Sequence, residues 1–382
     1  MRYRKLGKTG LEVSEIGLGG EWLDRQNAKS CKEIISACED FGINILDCWM
    51  SDPNVRTNIG YGIKGKRDKW IIQGHIGSTW QNGQYVRTRD LKYTIPAFED
   101  YLIRMNTDYI DLGMIHYVDE ISDFERILNS DFIEYVHKLK DEGKIRFIGM
   151  STHNPYVAQS AVKNNVVDMF LFSINPAFDL MRASEDVDDL FKENLDITES
   201  AIAPERKELY QMSEEKGVGI TVMKCYAGGR LFDAKTSPFG VALTPVQCLH
   251  YALTRPAVSS VMVGFSTVEH VMEACRYEDA AEDEKDYASV LVNAPKHAFS
   301  QGQCTYCGHC APCPKEIDIA MANKLYDLAA IQPTVPESVK QHYLALKHNA
   351  KDCIECGSCE KRCPFGVNVI EKMKHAKEIF GL

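Results

Sequence analysis

The amino-acid sequence predicts an α/β fold: a (β/α)8 TIM barrel followed by a small helical C-terminal domain. Two observations carry this. Short apolar runs alternate with amphipathic stretches through eight strand–helix units over residues 13–275, which matches such a barrel in unit count and size. The alternation then stops, and two cysteine-rich runs set among helices take its place. The domains are therefore expected at residues 1–281 and 282–382. A doubly wound open sheet fits less well, because it usually has fewer units and a Gly-rich first turn.

Residues 3–13 read as a hairpin turning at Lys8-Thr9-Gly10. Val13–Gly19 is the first strand, and Ser30–Phe41 a helix stopped by Gly42. Ile43–Trp49 is a strand and Asn58–Ile63 a short helix. Trp70–Gly74 leads to the helix Leu91–Met105. Ile110–His116 leads to Phe132–Glu142, closed by Gly143. Phe147–Ser151 precedes the helix Pro155–Asn164, and Met169–Ile174 precedes Glu205–Lys216. Gly219–Lys224 pairs with the helix Pro245–Leu253, and Ser259–Gly264 with Val268–Cys275. An acidic insertion, residues 178–200, separates the sixth strand from its helix. It is expected as a solvated loop, with a lid over the barrel mouth or a contact to the C-terminal domain as the alternative. Residues 282–300 lead out of the barrel to helices at Ile317–Ile331, Glu337–Lys347 and Val367–Phe380.

The first cysteine run places Cys304, Cys307, Cys310 and Cys313 before Pro314, and the second places Cys353, Cys356, Cys359 and Cys363 before Pro364. Both runs resemble the ligand runs of two-cluster bacterial ferredoxins, where short gaps wrap thiolates around a [4Fe–4S] cube. The first run has two residues before its last Cys, where the ferredoxin pattern has three. In that family the fourth Cys of each run serves the other cluster. The resemblance therefore implies two [4Fe–4S] clusters, one held by Cys304, Cys307, Cys310 and Cys363 and the other by Cys353, Cys356, Cys359 and Cys313. A pair of structural zinc sites is the alternative, but zinc gives no reason for a Cys-Pro ending on both runs. Without its clusters a domain this small has too little core to fold securely.

Composition narrows the partners. Lys+Arg 44 against Asp+Glu 54 gives a net charge of −10, which argues against nucleic acid. No apolar run is long enough to cross a bilayer, and the N-terminus lacks a signal-peptide core. The six other cysteines, Cys31, Cys38, Cys48, Cys225, Cys248 and Cys275, sit in apolar segments and read as buried thiols. Free thiols with clusters fit a reducing cytoplasm.

The barrel region resembles the aldo-keto reductases. Gly7–Ser14, Gly42–Asp47, Met114-Ile115-His116, Gly143–Ser151 and Ala227–Leu231 match that family's landmarks in order, and one branch of it carries a C-terminal two-cluster domain. The family transfers hydride from a nicotinamide to a carbonyl, using an Asp, a Tyr, a Lys and a His at strand ends. By position, Asp47 and His116 match the Asp and the His. Asp52 stands at the Tyr position and His75 at the Lys position. An Asp, ordinarily with a pKa of about 3.9, is a poor proton donor near neutrality, whereas a His at about 6.5 is a better one. Asp47, Asp52, His75 and His116 are the candidate catalytic residues.

The resemblance also gives cofactor positions: Ser151 for the carboxamide with Thr152 where Asn is usual, and Gly264 and Ser266 after the eighth strand. That last segment lacks the Lys and Arg that grip a 2′-phosphate, so the residues point away from NADPH. A phosphate group can still sit at the helix opening near Ser266 and Thr267. Two His and a carboxylate at the rim also make a candidate site for a divalent metal or non-haem iron, set against a hydrogen-bonded polar rim without metal. His153 lies on the same rim. Arg56 and Lys224 are candidate anchors for a substrate anion. Trp49, Trp80 and Tyr117 are candidate pocket walls.

The resulting expectation is an iron–sulfur oxidoreductase passing electrons between its clusters and a small organic substrate, with a redox protein as the other electron partner. A nicotinamide-dependent carbonyl reductase with accessory clusters, and a non-catalytic electron carrier on a degenerate barrel, stand as alternatives. The cysteine runs lead to a direct expectation: anaerobically purified protein contains about eight iron and eight sulfide per chain. Metal analysis finding zinc and no iron would contradict it.

Overall fold

The computed structural model describes residues 1–330 and 334–382. The chain opens with an antiparallel hairpin, β1 (Tyr3–Lys5) and β2 (Glu12–Ser14). It continues through β3 (Ile16–Gly19), α1 (Ala28–Asp40), β4 (Ile45–Cys48), α2 (Pro53–Gly62) and β5 (Ile71–Ile76). A second hairpin, β6 (Ser78–Gln81) and β7 (Gln84–Arg87), comes before α3 (Leu91–Met105). Next are β8 (Ile110–Ile115), α4 (Ile121–Leu128), α5 (Asp131–Asp141), β9 (Ile145–Thr152), α6 (Pro155–Lys163) and β10 (Met169–Ser173). The barrel ends with α7 (Pro204–Lys216), β11 (Gly219–Met223), α8 (Pro245–Leu253), β12 (Val258–Gly264) and α9 (Val268–Cys275). The C-terminal region holds α10 (Ala288–Val292), α11 (Ile319–Ala330), α12 (Glu337–Leu344), α13 (Ser358–Arg362) and α14 (Val369–Phe380). Ile331, expected at the end of α11, lies outside the described residues.

The eight strands β3, β4, β5, β8, β9, β10, β11 and β12 close in that order into a parallel barrel. Their period-two alternation sorts side chains between two cores. Ile45, Leu112, Met114, Met169, Leu171 and Met262 fill the barrel interior, while Leu46, Ile72, Ile115 and Phe170 face the helices.

Three expectations shift. Val13–Gly19 divides in two: Val13 and Ser14 belong to the opening hairpin, and the barrel strand starts at Ile16. The cause is the interior apolar cluster, in which Leu6, Leu11 and Val13 join the inward barrel residues. The hairpin thereby plugs the N-terminal end of the barrel. The short helix expected at Asn58 begins five residues earlier. Asp52 accepts from the Asn54 N–H at 2.7 Å, and Pro53 takes the first turn, a start that satisfies an orphan amide and exploits proline's fixed φ. Finally, the acidic insertion is more than a solvated loop. Asp179 is buried and accepts from the Tyr210 and Tyr251 hydroxyls at 2.5 and 2.7 Å. Farther along, the Arg230 guanidinium binds the Phe191 and Lys192 carbonyls. The insertion's last part meets the C-terminal region where the Ser300 N–H donates to the Ser200 carbonyl at 2.5 Å.

The C-terminal region lies along the α7–α8 wall. Lys324 pairs with Glu214 at 3.4 Å. The Thr305 carbonyl accepts from the Tyr287 hydroxyl at 2.9 Å and from Arg255. Arg255 follows α8 and precedes β12, so this contact sits at the end of the barrel away from the strand C-termini. Phe299, Phe365, Val367 and Met373 continue the barrel's outer apolar core into this region.

Helices α2 and α3 approach closely because Gly60 has no side chain. A Cβ there would stand 2.0 Å from the Arg104 carbonyl oxygen and 2.9 Å from the Met105 Cα. Gly60→Ala therefore lowers stability by about 1–3 kcal/mol through overpacking, despite alanine's better helix propensity. Urea denaturation of the anaerobic protein reads this, and unchanged or raised stability would contradict it.

Candidate functional site at the barrel mouth

Alternation carries polar residues to the mouth by simple counting. Ile45 faces inward, so Asp47 does too; Gln73 and His75 follow Ile71, and His116 follows Leu112 and Met114. Register then sets neighbours side by side: Asp47 opposite Gln73, and His75 opposite Met114. The result is a continuous chain that runs from buried groups out to an exposed one. The Thr221 hydroxyl donates to Gln73 Oε1 at 2.9 Å, and Gln73 Nε2 donates to Asp47 Oδ1 at 2.9 Å. His75 Nε2 lies 2.9 Å from the same Asp47 oxygen. His75 Nδ1 is 2.8 Å from His116 Nδ1, and His116 Nε2 is 2.7 Å from the Tyr85 hydroxyl. Trp49 stacks on His116 with centroids 5.8 Å apart and meets the Tyr85 ring edge-on at 5.4 Å.

Three of the four candidate catalytic residues, Asp47, His75 and His116, thus meet. Asp52 is not part of this chain; its carboxylate caps α2. Tyr85 was missed. It stands on β7, in a hairpin whose turn is Asn82-Gly83, with φ of 53° and 78°. Asn-Gly between alternating runs is a strong two-residue hairpin signal, and it could have placed Tyr85 beside the mouth. Burial holds the His116 pKa well below the ordinary histidine range, with His75 and then Arg89, Arg87 and Arg56 adding to the effect. Burial also raises the Tyr85 pKa, against the pull of Arg87 and Arg89.

A second polar group occupies the rim between β8 and β9. His153 Nδ1 lies 2.8 Å from Asp119, and its buried Nε2 has no partner among the described residues. Tyr117, between the two histidines in sequence, holds a left-handed φ of 47°. Lys224, after β11, does the same at 59°; strain of this kind gathers at functional sites. Lys224 sits over the Phe191 ring at 4.4 Å, and burial lowers its pKa while Glu21 and Asp119 oppose this. Among the described residues it makes no ion pair. Arg56, by contrast, is spent on the carbonyls of Met50, Ala97 and Ser78. Trp80 remains exposed on β6.

The nicotinamide positions are largely committed elsewhere. Thr152 donates to Asp119 at 3.1 Å and accepts from the Asn154 N–H, while the Ser151 oxygen accepts from the Tyr117 N–H at 2.8 Å. Trp22 packs so tightly on Gly264 that a Cβ there would lie 2.2 Å from the indole. Ser266 bonds His270 at 3.0 Å. The candidate rim metal finds no support: among the described residues the rim offers no group of three or more His, Cys, Asp or Glu that could hold one. The physical reason is that the nitrogens of His75 and His116 face Asp47, Tyr85 and each other rather than a common point.

The eight cysteines of the two runs surround two cavities. One is lined by Cys304, Cys307, Cys310 and Cys363. The other is lined by Cys313, Cys353, Cys356 and Cys359. Each quartet takes three residues from one run and one from the other. Among the described residues no three of these cysteines gather as a single ion would need, which speaks against a zinc ion bonded at about 2.3 Å. Backbone amides of Lys315 and Val367 donate to the Cys313 and Cys363 sulfurs at 3.4 and 3.5 Å.

Comparison with known proteins agrees with both halves. Residues 15–291 match the aldo/keto reductase family, and residues 303–368 match a 4Fe-4S dicluster domain. The chain is 32% identical over 291 residues to an uncharacterized oxidoreductase, YqkF, of Bacillus subtilis (strain 168), covering 72% of this chain and 90% of that protein. It is 33% identical over 160 residues to the aldo-keto reductase YhdN of the same organism, covering 40% of this chain and 47% of that protein. Among solved structures it resembles the holo form of an aldo-keto reductase from Bacillus halodurans, with TM-score 0.59 and 22% identity over 75% of this chain and 94% of that one.

The depressed His116 pKa has a consequence for stability. The folded ring binds its proton later than the unfolded ring, so folding is favoured above the unfolded value of about 6.5 and loses support as pH falls below it. His116→Gln should flatten that part of the stability–pH curve, measured by urea midpoints between about pH 7.5 and 5.5. An equally steep fall in the variant would contradict the assignment.

Proposed function

This chain belongs to the aldo/keto reductase family and carries a 4Fe-4S dicluster domain behind its barrel, and from that premise we propose an oxidoreductase in which two [4Fe–4S] clusters exchange electrons with a small organic substrate at the barrel mouth. The two parts are residues 1–281 and 282–382. The observation that carries this reading is the crossing of the two cysteine quartets around their cavities. Cys304, Cys307, Cys310 and Cys363 would hold one cluster, and Cys353, Cys356, Cys359 and Cys313 the other. Such clusters each supply one electron at a time, so a pair matches the two-electron change between a carbonyl and an alcohol.

The residues of the mouth support the same reading. With Asp52 at the family's Tyr position and capping a helix, the usual acid is missing there. His75 at the Lys position bonds Asp47, as a second imidazole beside His116. Thr152, Gly264 and Ser266 are engaged or covered, which disfavours a nicotinamide. Lys224, free of ion pairs among the described residues, suits an anionic group on the substrate. The acidic insertion joins this mouth, through Phe191 on Lys224, to the C-terminal region, through Ser200 and Ser300.

The second quartet also offers a way out. Cys356 is exposed, and its neighbour Ile354 is 57% exposed, which suits electron exchange with an external redox protein. The remaining six cysteines are buried and unpaired, in keeping with a cytoplasmic protein.

A steady-state assay with a panel of aldehydes and with NADH or NADPH tests this. Negligible nicotinamide-dependent turnover is expected, since loss of a positioned acid costs roughly a hundredfold to ten-thousandfold. Asp52→Tyr/His75→Lys should raise it. Ordinary reductase rates in the unaltered protein, with or without clusters, would establish the nicotinamide-dependent alternative instead.

A further inference from the structure

We propose that Tyr85, supplied by the β6–β7 hairpin, is the group that exchanges a proton with the substrate oxygen at the mouth, and that His116 and His75 relay this proton to and from Asp47. The proposal rests on the oxidoreductase reading of the mouth and names the residue that the family tetrad lacks here.

The hydrogen-bond pattern carries the argument. A carboxylate only accepts, and a neutral imidazole has one donor and one acceptor nitrogen. With Asp47 accepting, His75 must carry its proton on Nε2, leaving Nδ1 as acceptor. His116 must then donate from Nδ1, leaving Nε2 as acceptor. Tyr85 must donate its O–H to that nitrogen. With Asp47 ionised and both rings neutral, no other placement of protons satisfies the 2.9, 2.8 and 2.7 Å contacts. The three links therefore share one direction, from the mouth inward.

Burial separates the ends of the chain. His75 and Asp47 are 4% exposed and His116 is 5% exposed, whereas Tyr85 is 38% exposed. Tyr85 is thus the one member that a substrate can reach. The groups facing His116 are His75, Tyr85, Trp49 and Tyr117, with Arg87, Arg89 and Arg56 nearby. All are neutral or cationic, which disfavours a lasting proton on His116 and suits passage through it.

The step balances without electrons. An alcohol O–H bond breaks and a bond from that proton to the Tyr85 oxygen forms. The original Tyr85 proton moves to His116 Nε2, the His116 Nδ1 proton to His75 Nδ1, and the His75 Nε2 proton to Asp47 Oδ1. Starting from protonated Asp47, the reverse sequence returns a proton to the oxygen of a carbonyl that has taken up its electrons. One proton enters and one carboxylate is neutralised.

Two measurements test this on the anaerobic holoprotein. The first is NMR of isotope-labelled histidine without substrate. The expected result is His116 protonated on Nδ1 and His75 on Nε2, with the His116 pattern lost in Tyr85→Phe. His116 protonated on Nε2, or an unchanged pattern in the variant, would overturn the proposal whatever the substrate. The second follows benzaldehyde reduction by cluster-reduced protein. Tyr85→Phe keeps the ring and should lower the single-turnover rate constant by roughly a hundredfold to ten-thousandfold, leave the half-saturating benzaldehyde concentration within about threefold and abolish the solvent isotope effect in heavy water. An unchanged or raised rate constant would mean that Tyr85 merely plugs the mouth. Failure of the unaltered protein to reduce any aldehyde would sink the oxidoreductase reading alone, since the histidine pattern decides the relay separately.

Discussion

A carboxylate deep inside a barrel must be paired, and most of the mouth follows from how Asp47 is paired. It is 4% exposed, with Gln73 and His75 both donating to one of its oxygens. Those bonds fix the His75 tautomer. That tautomer fixes the donor nitrogen of His116, and His116 in turn fixes the direction of the Tyr85 hydroxyl. An unpaired buried charge would cost several kcal/mol, so this is the part of the mouth least free to rearrange.

The cysteine quartets impose a comparable constraint on the other half. Because each cavity borrows one residue from the other run, neither run can complete its quartet alone. Helices α11 and α14, and the segment between the runs, must therefore fold together. The apolar contacts of Phe299 and Phe365 and the Arg255–Thr305 contact fasten that unit to the α7–α8 wall. Aldo/keto reductase barrel and dicluster domain thus share one outer core while keeping their chemical groups on separate elements.

Much of this was legible in the sequence, for physical reasons. The eight barrel strands lie within a few residues of their expected places because burial on both faces leaves short apolar runs between turn residues. Leu91–Met105, Pro245–Leu253 and Val268–Cys275 coincide with observed helices because caps and amphipathic periodicity agree there. The family resemblance and their places at strand ends put Asp47, His75 and His116 on one rim. The parts that escaped notice depend on long-range packing. Val13 was assigned to the barrel strand because nothing local shows that it plugs the barrel end. Helix α4, Ile121–Leu128, has no Gly or Pro to announce it. Asp52 looked like a rim residue, and its capping role depends on where α2 starts. Tyr85 escapes the strand–helix rhythm because it lies between Gly74 and Leu91, where Asn82-Gly83 marks a hairpin.

On the proposed function, the clusters and not a nicotinamide would hold the electrons used at the mouth. The most direct measurement is a single turnover. Protein freed of nicotinamide, with both clusters reduced by one electron each, is mixed anaerobically with excess benzaldehyde, and cluster oxidation and alcohol formation are followed together. This account predicts full reoxidation with about one benzyl alcohol formed per chain, since two one-electron centres match one two-electron reduction. Clusters that stay reduced in aldehyde until NADH or NADPH is added, with alcohol then formed in proportion to the nicotinamide, would contradict it.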